Sequence, residues 1–257
     1  MTKPGVVDVL HDAGRAIITI TNPPENRFGE ATITEIGKAL EKLRHDDHLK
    51  LIIFRSGVEN MFSMGFDILD RTPDQVGKLN SSFGHLLYLL NELPVLSACE
   101  VDGGCYGGSM ELAVYCDFLI ASNRAVFGHP EIKSGIFPPV AAALYPQIIG
   151  RNKTLEVLAT GERLLADEAH NMGLVNRLYH FDEFDREVEA FYQKIEATSA
   201  LTLRLMKKAV DKGLYAKVPE AIQMTENIYL NELLPSHDAR EGIQAKLENR
   251  DPRWLNK

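Results

Sequence analysis

A glycine-rich stretch in the middle of the chain decides the fold, and it reads Val101-Asp102-Gly103-Gly104-Cys105-Tyr106-Gly107-Gly108-Ser109-Met110-Glu111-Leu112-Ala113. It follows the apolar run Val95–Val101, which predicts a buried strand, and it leads into the apolar octet Ser109–Cys116, which predicts a helix. Glycines at a helix entrance leave backbone N–H groups unpaired at the positive end of the helix dipole. The stretch therefore suits the binding of an anion.

A glycine-rich turn between a strand and a helix does not by itself define a ligand. Phosphate-binding loops and ordinary turns share this composition. No Gly-Lys-Ser/Thr follows the glycines, and the spacing G-x-G-x-x-G is not met. The two common nucleotide-binding motifs are therefore absent from this stretch.

The rest of the chain predicts an α/β fold with a helical end. Short runs rich in Val and Ile predict five strands, at Val6–Leu10, Arg15–Ile20, Leu51–Arg55, Val95–Val101 and Phe118–Ser122. Apolar residues at helical spacing predict two helices between them, around residues 33–43 and 83–90. After about residue 140 the strands are expected to stop. We divide the chain into an α/β core, residues 1–195, and a C-terminal helical region, residues 196–257.

Composition and charge exclude several classes of protein. The chain has 257 residues and a net charge of -8, and an acidic chain without clustered cations argues against a nucleic-acid partner. No apolar run reaches the roughly 18 residues of a membrane span, and the first residues lack the apolar stretch of a signal peptide. We expect a cytoplasmic protein without a membrane association.

The cysteines and histidines indicate no metal site. Cys99, Cys105 and Cys116 are odd in number and lack C-x-x-C spacing, which favours apolar core thiols over disulfides or zinc ligands. The eight histidines are scattered along the chain.

Two glutamates stand in apolar surroundings. Glu111 lies one turn into the predicted helix, where a carboxyl group is either on the solvent-exposed face or buried for a chemical purpose. Glu131 lies in the apolar, proline-containing loop Phe127–Pro139, and it is either functional or a surface glutamate. A third apolar segment, Met61–Ile68, surrounds Gly65 and could be an ordinary turn.

Together these segments resemble the enoyl-CoA hydratase/isomerase family, also called the crotonases, over nearly the whole chain. Phe62-Ser63-Met64-Gly65-Phe66-Asp67-Ile68 is similar to the family element F-[SC]-A-G-x-D-[LI], and Gly107–Ala113 is similar to G-G-G-x-E-L-A. Phe127-Gly128-His129-Pro130-Glu131 is similar to F-G-x-P-E. Shorter similarities precede and follow these elements, at residues 22–26, 160–162, 166–169 and 173–175. The order and spacing of the elements carry the resemblance.

The resemblance implies a fold and a set of site residues. The fold would be a ββα spiral core with C-terminal helices that mediate trimerisation. The backbone N–H groups of Phe66 and Gly108 would form an oxyanion hole for a thioester oxygen, with Glu111 and Glu131 as the catalytic acid and base. Residues that would contact the substrate or its coenzyme A portion are Met64, Gly65, Asp67, Gly107, Pro130, Phe137 and Pro138.

The implied activity is addition of water to an enoyl-CoA thioester, or the reverse. Addition at Cβ places negative charge on the thioester oxygen, where two backbone donors stabilise it. Two carboxyl groups can then activate water and protonate Cα, with Glu111 as the base facing Cβ and Glu131 as the acid near Cα. Coenzyme A would enter as part of the substrate, with no permanently bound cofactor and no metal. A double-bond isomerase, a thioester hydrolase and a non-catalytic acyl-CoA- or RNA-binding relative are the alternatives.

The chain departs from the family pattern after its second glutamate. Where the family often has G-x-x-P-G-x-G-G-T, this chain has residues 135–143, G-I-F-P-P-V-A-A-A, in which proline and alanine replace three glycines. These replacements should stiffen the wall of the acyl site. The run resembles hydratases of alicyclic dienoyl-CoA thioesters such as cyclohexa-1,5-diene-1-carboxyl-CoA, with a short linear enoyl-CoA as the alternative.

The C-terminal region carries two further expectations. The resemblance implies a homotrimer or a dimer of trimers, and the apolar stripe along Leu201–Val210 is either part of that interface or an ordinary intrachain core. Arg250 is a candidate contact for the phosphates of coenzyme A, or else a solvated arginine of the tail.

Overall fold

The chain winds through successive units of two strands and a helix. The computed structural model describes residues 6–67, 74–214 and 216–257. The described strands are β1 Val7–Asp12, β2 Arg15–Ile20, β3 Leu51–Ser56, β4 Met61–Ser63, β5 Leu96–Val101, β6 Gly104–Tyr106, β7 Phe118–Ser122, β8 Val126–Gly128, β9 Leu164–Leu165 and β10 Arg177–Tyr179. The described α-helices are α1 Glu30–Leu43, α2 Val76–Glu92, α3 Gly108–Tyr115, α4 Pro139–Ile148, α5 Gly150–Thr160, α6 Ala166–Met172, α7 Phe184–Glu196, α8 Ala200–Gly213, α9 Val218–Ile228 and α10 His237–Glu248.

The strands form two sheets that the chain visits in turn. A six-stranded sheet has the order β1-β2-β3-β5-β7-β10, and a four-stranded sheet has the order β4-β6-β8-β9. Each of the pairs β3/β4, β5/β6 and β7/β8 places its first strand in the large sheet and its second strand in the small one. In the large sheet, neighbouring strands from β2 to β10 are parallel. In the small sheet, β4, β6 and β8 are parallel. This winding is the predicted ββα spiral.

The central parallel strands β2, β3 and β5 of the large sheet are largely buried on both faces, as expected of parallel strands. One face, with Ile18, Ile52 and Phe54, contributes to the main core together with helices α1, α2 and α3. The opposite face, with Ile17 and Ile53, packs against α7. Alternation of side chains along β2 and β3 therefore supplies both cores.

The five strands predicted from the sequence are confirmed, and two of them, Arg15–Ile20 and Phe118–Ser122, have the predicted limits. The expectation that strands stop after residue 140 is wrong, because β9 and β10 lie beyond it. Strands of two or three residues are too short to show an alternating pattern. The predicted boundary at residue 195 stays a prediction. No described helix combines the length and the apolar composition that crossing a bilayer would require.

Arg15 ties the large sheet to helix α7. Its guanidinium lies 2.7 Å from Glu189 and 2.5 Å from Glu196, and both carboxylates belong to α7. The Arg15 side chain is buried, and so is most of Glu196. Loss of Arg15 would leave Glu196 unpaired in a poorly solvated position.

We therefore expect Arg15→Met to lower the free energy of unfolding by about 3 kcal/mol, the lower end for breaking a buried ion pair, because Glu189 is partly exposed. The matched control is Arg186→Met, since Arg186 pairs with two carboxylates on the surface. It should leave the free energy of unfolding nearly unchanged, because exposed ion pairs are screened by solvent. Urea unfolding measures both variants, and equal losses would contradict the assignment of Arg15 to the sheet–helix contact.

Glu100 on β5 gives the stability a pH dependence. Its carboxyl accepts a hydrogen bond from the Tyr192 hydroxyl at 3.0 Å, and burial raises the pKa of Glu100 from 4.5 to about 7. A carboxyl whose pKa rises on folding stabilises the fold below its ordinary pKa, and this contribution is lost as the pH rises through the folded value.

We expect the difference in unfolding free energy, wild type minus Glu100→Gln, to decrease as the pH rises from about 5 to about 8. Glutamine keeps an acceptor for Tyr192 and does not titrate, so the variant isolates the ionisation. Urea unfolding across this range measures the difference. Parallel pH profiles of wild type and Glu100→Gln would show that Glu100 does not titrate in this pH range.

Candidate active site

Glu111 is buried in the interior of the protein. Helix α3 lies between the sheets with its residues from Gly108 to Val114 buried, and the Glu111 side chain is 1% exposed. The alternative of a solvent-exposed face is therefore wrong, because this helix has no such face. Burial raises the pKa of Glu111, while a hydrogen bond at 2.9 Å from the backbone N–H of Ala141 opposes the shift. Ala141 lies in the first turn of α4, so the carboxylate caps the positive end of that helix.

Glu131 reaches the same region from a different element. It lies in the short 3₁₀-helix Pro130–Ser134, whose first residue is the predicted contact Pro130, and it is 8% exposed. Its carboxyl group packs against Gly107, where a Cβ atom would lie 3.2 Å from Oε2. Gly107 has a φ of 55°, which glycine adopts without strain. The glycine therefore allows both the turn into α3 and the close approach of Glu131.

The two carboxyl groups line one cavity of about 280 Å³. The negative charge of Glu131 contributes to the raised pKa of Glu111, so the two groups interact electrostatically. The cavity also contains three other predicted site residues, Phe66, Phe137 and Pro138, and its remaining lining residues are Val76, Leu79, Asn80, Gly135, Ile136 and Pro139. Two ionisable groups in a small, mostly apolar cavity are the arrangement that acid–base chemistry requires.

The segments that hold Phe66 and Gly108 are packed backbone against backbone. A Cβ atom on Gly65 would lie 2.6 Å from the carbonyl oxygen of Tyr106 and 3.4 Å from the nitrogen of Gly108. The Ser109 hydroxyl donates to the carbonyl of Ser63 at 3.1 Å, which joins the same two segments. The chain thus brings residues 63–66 and 106–109 together without intervening side chains.

The remaining predicted contacts surround this junction. Met64 and Asp67 are half-buried, and their backbone N–H groups donate to the carbonyls of Glu25 and Phe28, respectively. Gly108 is the first residue of α3, and no described side chain caps this helix end. The first amides of a helix have no intrahelical acceptor. Ile68, the last residue of the resembling element, lies outside the described residues.

Two residues of this site were not predicted from the sequence. His129 is fully buried, and its Nδ1 lies 3.3 Å from Oε1 of Glu131 while its Nε2 lies 2.9 Å from the hydroxyl of Tyr145. The position of His129, two residues before Glu131, could have suggested the first contact. Tyr145 has no such signal, because only the course of α4 brings it to the site.

The C-terminal candidates lie in other surroundings. Arg250 binds Glu241 through two hydrogen bonds and also contacts Glu248, so its guanidinium is engaged within the tail. In the apolar stripe on α8, Met206 and Val210 are exposed, while Leu201, Leu205 and Ala209 are half-buried. Among the described residues, no group of three or more His, Cys, Asp or Glu side chains could hold a metal ion.

Comparison with known proteins identifies the family. The sequence model of enoyl-CoA hydratase/isomerase matches residues 11–257. The chain belongs to the enoyl-CoA hydratase/isomerase family. This confirms the resemblance that the sequence motifs indicate.

The similarity to known proteins extends over nearly the whole chain. Human enoyl-CoA hydratase domain-containing protein 2, mitochondrial, is 30% identical over 258 residues, which cover 96% of this chain and 87% of that protein. The cyclohexa-1,5-dienecarbonyl-CoA hydratase of Thauera aromatica is 29% identical and covers 100% of this chain and 98% of its own length. The crystal structure of an enoyl-CoA hydratase from Geobacillus kaustophilus superimposes with a TM-score of 0.93 at 26% identity, over 100% of this chain and 98% of that one. The predicted crotonase fold is confirmed.

The contact between Gly108 and Phe66 leads to a prediction. A Cβ atom at residue 108 would lie 2.3 Å from Cζ of Phe66, whose ring is held edge-on against Phe83 at 4.9 Å. We expect Gly108→Ala to destabilise the protein by about 1–3 kcal/mol, as overpacking of a core does. Gly84→Ala on α2 is the control, since no described atom would lie within 4 Å of its Cβ, and it should stabilise by about 0.5–1 kcal/mol. Thermal unfolding measures both, and a Gly108→Ala variant as stable as wild type would contradict the close contact.

Proposed function

We propose that the protein is an enoyl-CoA hydratase, which adds water across a carbon–carbon double bond conjugated to a thioester, or removes it. The observation that carries the proposal is the pair of buried carboxyl groups, Glu111 and Glu131, that line one cavity beside the amino-terminal end of α3. A carboxyl is costly to bury, so two of them in one small cavity favour a chemical role over a structural one.

The thioester oxygen would bind at the backbone amides of Phe66 and Gly108. The direct backbone contact between residues 65 and 108 supports this position, since it places the two amides in adjacent segments. The amino terminus of α3 adds the positive end of its dipole. Each such donor typically lowers the barrier by about 3–4 kcal/mol, because it binds the enolate oxygen more strongly than the ground-state carbonyl.

The two carboxyl groups would divide the proton transfers. Glu111 takes a proton from water as the water oxygen bonds to Cβ, and the electrons of the double bond move to the thioester oxygen. The enolate then collapses and Cα accepts a proton from Glu131, which completes the addition of one water molecule. The raised pKa of Glu111 brings this base nearer to neutral pH, where general bases are most effective. Proton exchange with solvent returns the proton from Glu111 and reloads Glu131.

For the substrate we propose an alicyclic dienoyl-CoA thioester. Phe137 and Pro138 form one wall of the cavity, and Pro139 fixes the start of α4 directly behind them. Such a wall is rigid because proline restricts the backbone, and a flat ring loses little conformational entropy on binding to it. The similarity to the Thauera aromatica protein over the entire chain supports this choice. A short linear enoyl-CoA is the alternative substrate.

We further propose a homotrimer or a dimer of trimers, in the cytoplasm, that needs no permanently bound cofactor. The exposed apolar residues of α8 and α9, among them Met206, Val210, Val218 and Ile222, support an intersubunit contact. Coenzyme A would enter only as part of the substrate. The cytoplasmic location stays a prediction, and the name of the human relative includes the word mitochondrial.

A panel of thioesters tests the activity. The protein is incubated with crotonyl-CoA and with cyclohexa-1,5-diene-1-carboxyl-CoA in ¹⁸O-labelled water, and the loss of enoyl absorbance is followed. We expect one ¹⁸O atom in the product and a higher kcat/KM for the cyclic substrate. Free thiol release would instead indicate a hydrolase, and a shifted double bond without label would indicate an isomerase. A higher kcat/KM for crotonyl-CoA would overturn the substrate assignment alone.

Replacement of either glutamate tests the mechanism. We expect Glu111→Gln and Glu131→Gln each to lower kcat by at least about a hundredfold, the range for loss of a general acid or base. Glu100→Gln is the matched control, because Glu100 also has a pKa raised by burial and lies outside the cavity. Its turnover should equal that of wild type. Near-normal turnover in either site variant would remove that residue from the mechanism.

A further inference from the structure

His129 forms the centre of a buried chain of three polar groups. Its ring is fully buried, with Glu131 on the Nδ1 side and the Tyr145 hydroxyl on the Nε2 side. Tyr145 is itself fully buried, and burial raises its pKa well above the ordinary value, so the hydroxyl keeps its proton. The hydrogen bonds therefore extend from Glu131 at the cavity into the core, where His129 and Tyr145 have no contact with solvent.

This chain can accept either protonation state of Glu131. Nδ1–H of His129 donates to Oε1 of Glu131, and Nε2 accepts a hydrogen bond from the hydroxyl of Tyr145. When Glu131 gains a proton on Oε2, Oε1 still accepts from Nδ1–H, and the contact between Nε2 and Tyr145 is unchanged. A neutral imidazole has one donor and one acceptor, so both of its nitrogens keep a partner in both states of Glu131. An apolar residue at position 129 would remove this hydrogen bond from Glu131, and loss of a partner is costly for a buried polar group.

We propose that His129 and Tyr145 are positioning residues that hold the carboxyl of Glu131 in one orientation while Glu131 gains and loses its proton at Oε2. The proposal rests on the proposed function, in which Glu131 must do both in every turnover. No proton moves between His129 and Tyr145, and the only proton added or removed is that of Glu131.

Helix α4 links this chain to the other carboxyl group. The backbone N–H of Ala141 in its first turn binds Glu111, and Tyr145 one turn later binds His129. Glu111 and Cys105 are the other titratable groups whose charges act on Tyr145. A shift of this helix would therefore move the partners of both glutamates together.

Kinetics of three variants test the proposal. We expect Tyr145→Phe and His129→Leu to lower kcat by about tenfold or more, with KM changed less than about threefold, because orientation of Glu131 is lost and the binding surface is not. Both should also shift the pH profile of kcat/KM. His129→Gln retains a donor and an acceptor and should recover at least about tenfold over His129→Leu.

Tyr192→Phe is the matched control, since Tyr192 is also a buried tyrosine that binds a glutamate, outside the cavity. It should leave the pH profile unchanged even where it lowers the melting temperature. Wild-type profiles in Tyr145→Phe and His129→Leu, or a His129→Gln variant no better than His129→Leu, would overturn the proposal. Thermal unfolding identifies any variant that fails to fold, and Tyr145→Phe, which removes one oxygen atom, then decides.

The histidine tautomer can be observed independently of activity. With ¹⁵N-labelled histidine, we expect His129 to carry its proton on Nδ1, and we expect Tyr145→Phe, which removes the donor to Nε2, to weaken this preference. A proton on Nε2 in the wild type would overturn the proposal. A wild type without hydratase activity that still carries the proton on Nδ1 would contradict the proposed function and leave the contact of His129 with Glu131 intact.

Discussion

The arrangement of the whole site follows from the cost of burying Glu111. A carboxylate transferred from water to a protein interior loses hydration, and burial is indeed the largest contribution to its raised pKa. The fold compensates with the backbone N–H of Ala141 at the start of α4, where the helix dipole is positive. Because α4 must lie over Glu111 to do this, it also covers the cavity and places Tyr145 beside His129. One electrostatic requirement thus determines where a whole helix packs.

Glycine makes the second half of this arrangement possible. Side chains at residues 65 and 108 would collide with the backbone of Tyr106 and the ring of Phe66, respectively, and one at residue 107 would press against the carboxyl of Glu131. The absence of these side chains lets the two chain segments and the carboxyl of Glu131 pack in close contact. The spiral winding supplies the segments, since β4 and β6 are neighbours in the small sheet and lead directly into residues 64–67 and 107–108.

Much of the fold could be predicted from the sequence because its main elements carry strong local patterns. The run Arg15–Ile20 is apolar and β-branched throughout its middle, and the structure has a strand with those limits. The strand Met61–Ser63 has three residues and shows no pattern, although it positions the segment that contains Phe66. The burial of Glu111 could not be decided locally, because an apolar helix with one glutamate fits either a surface or an interior until its neighbours are known. The contact of His129 with Tyr145 depends on packing between separate elements, which no local pattern records.

The proposed activity requires one geometry, in which a thioester lies with its oxygen at the amides of Phe66 and Gly108 and its double bond beside both glutamates. A crystal structure of the Glu131→Gln variant with a bound enoyl-CoA thioester tests this most directly. We predict the thioester oxygen within about 3.2 Å of both backbone nitrogens, with the carboxyl of Glu111 and the amide of residue 131 on the same side of the alkene. A thioester bound elsewhere, or an alkene that faces away from Glu111, would contradict the proposed function.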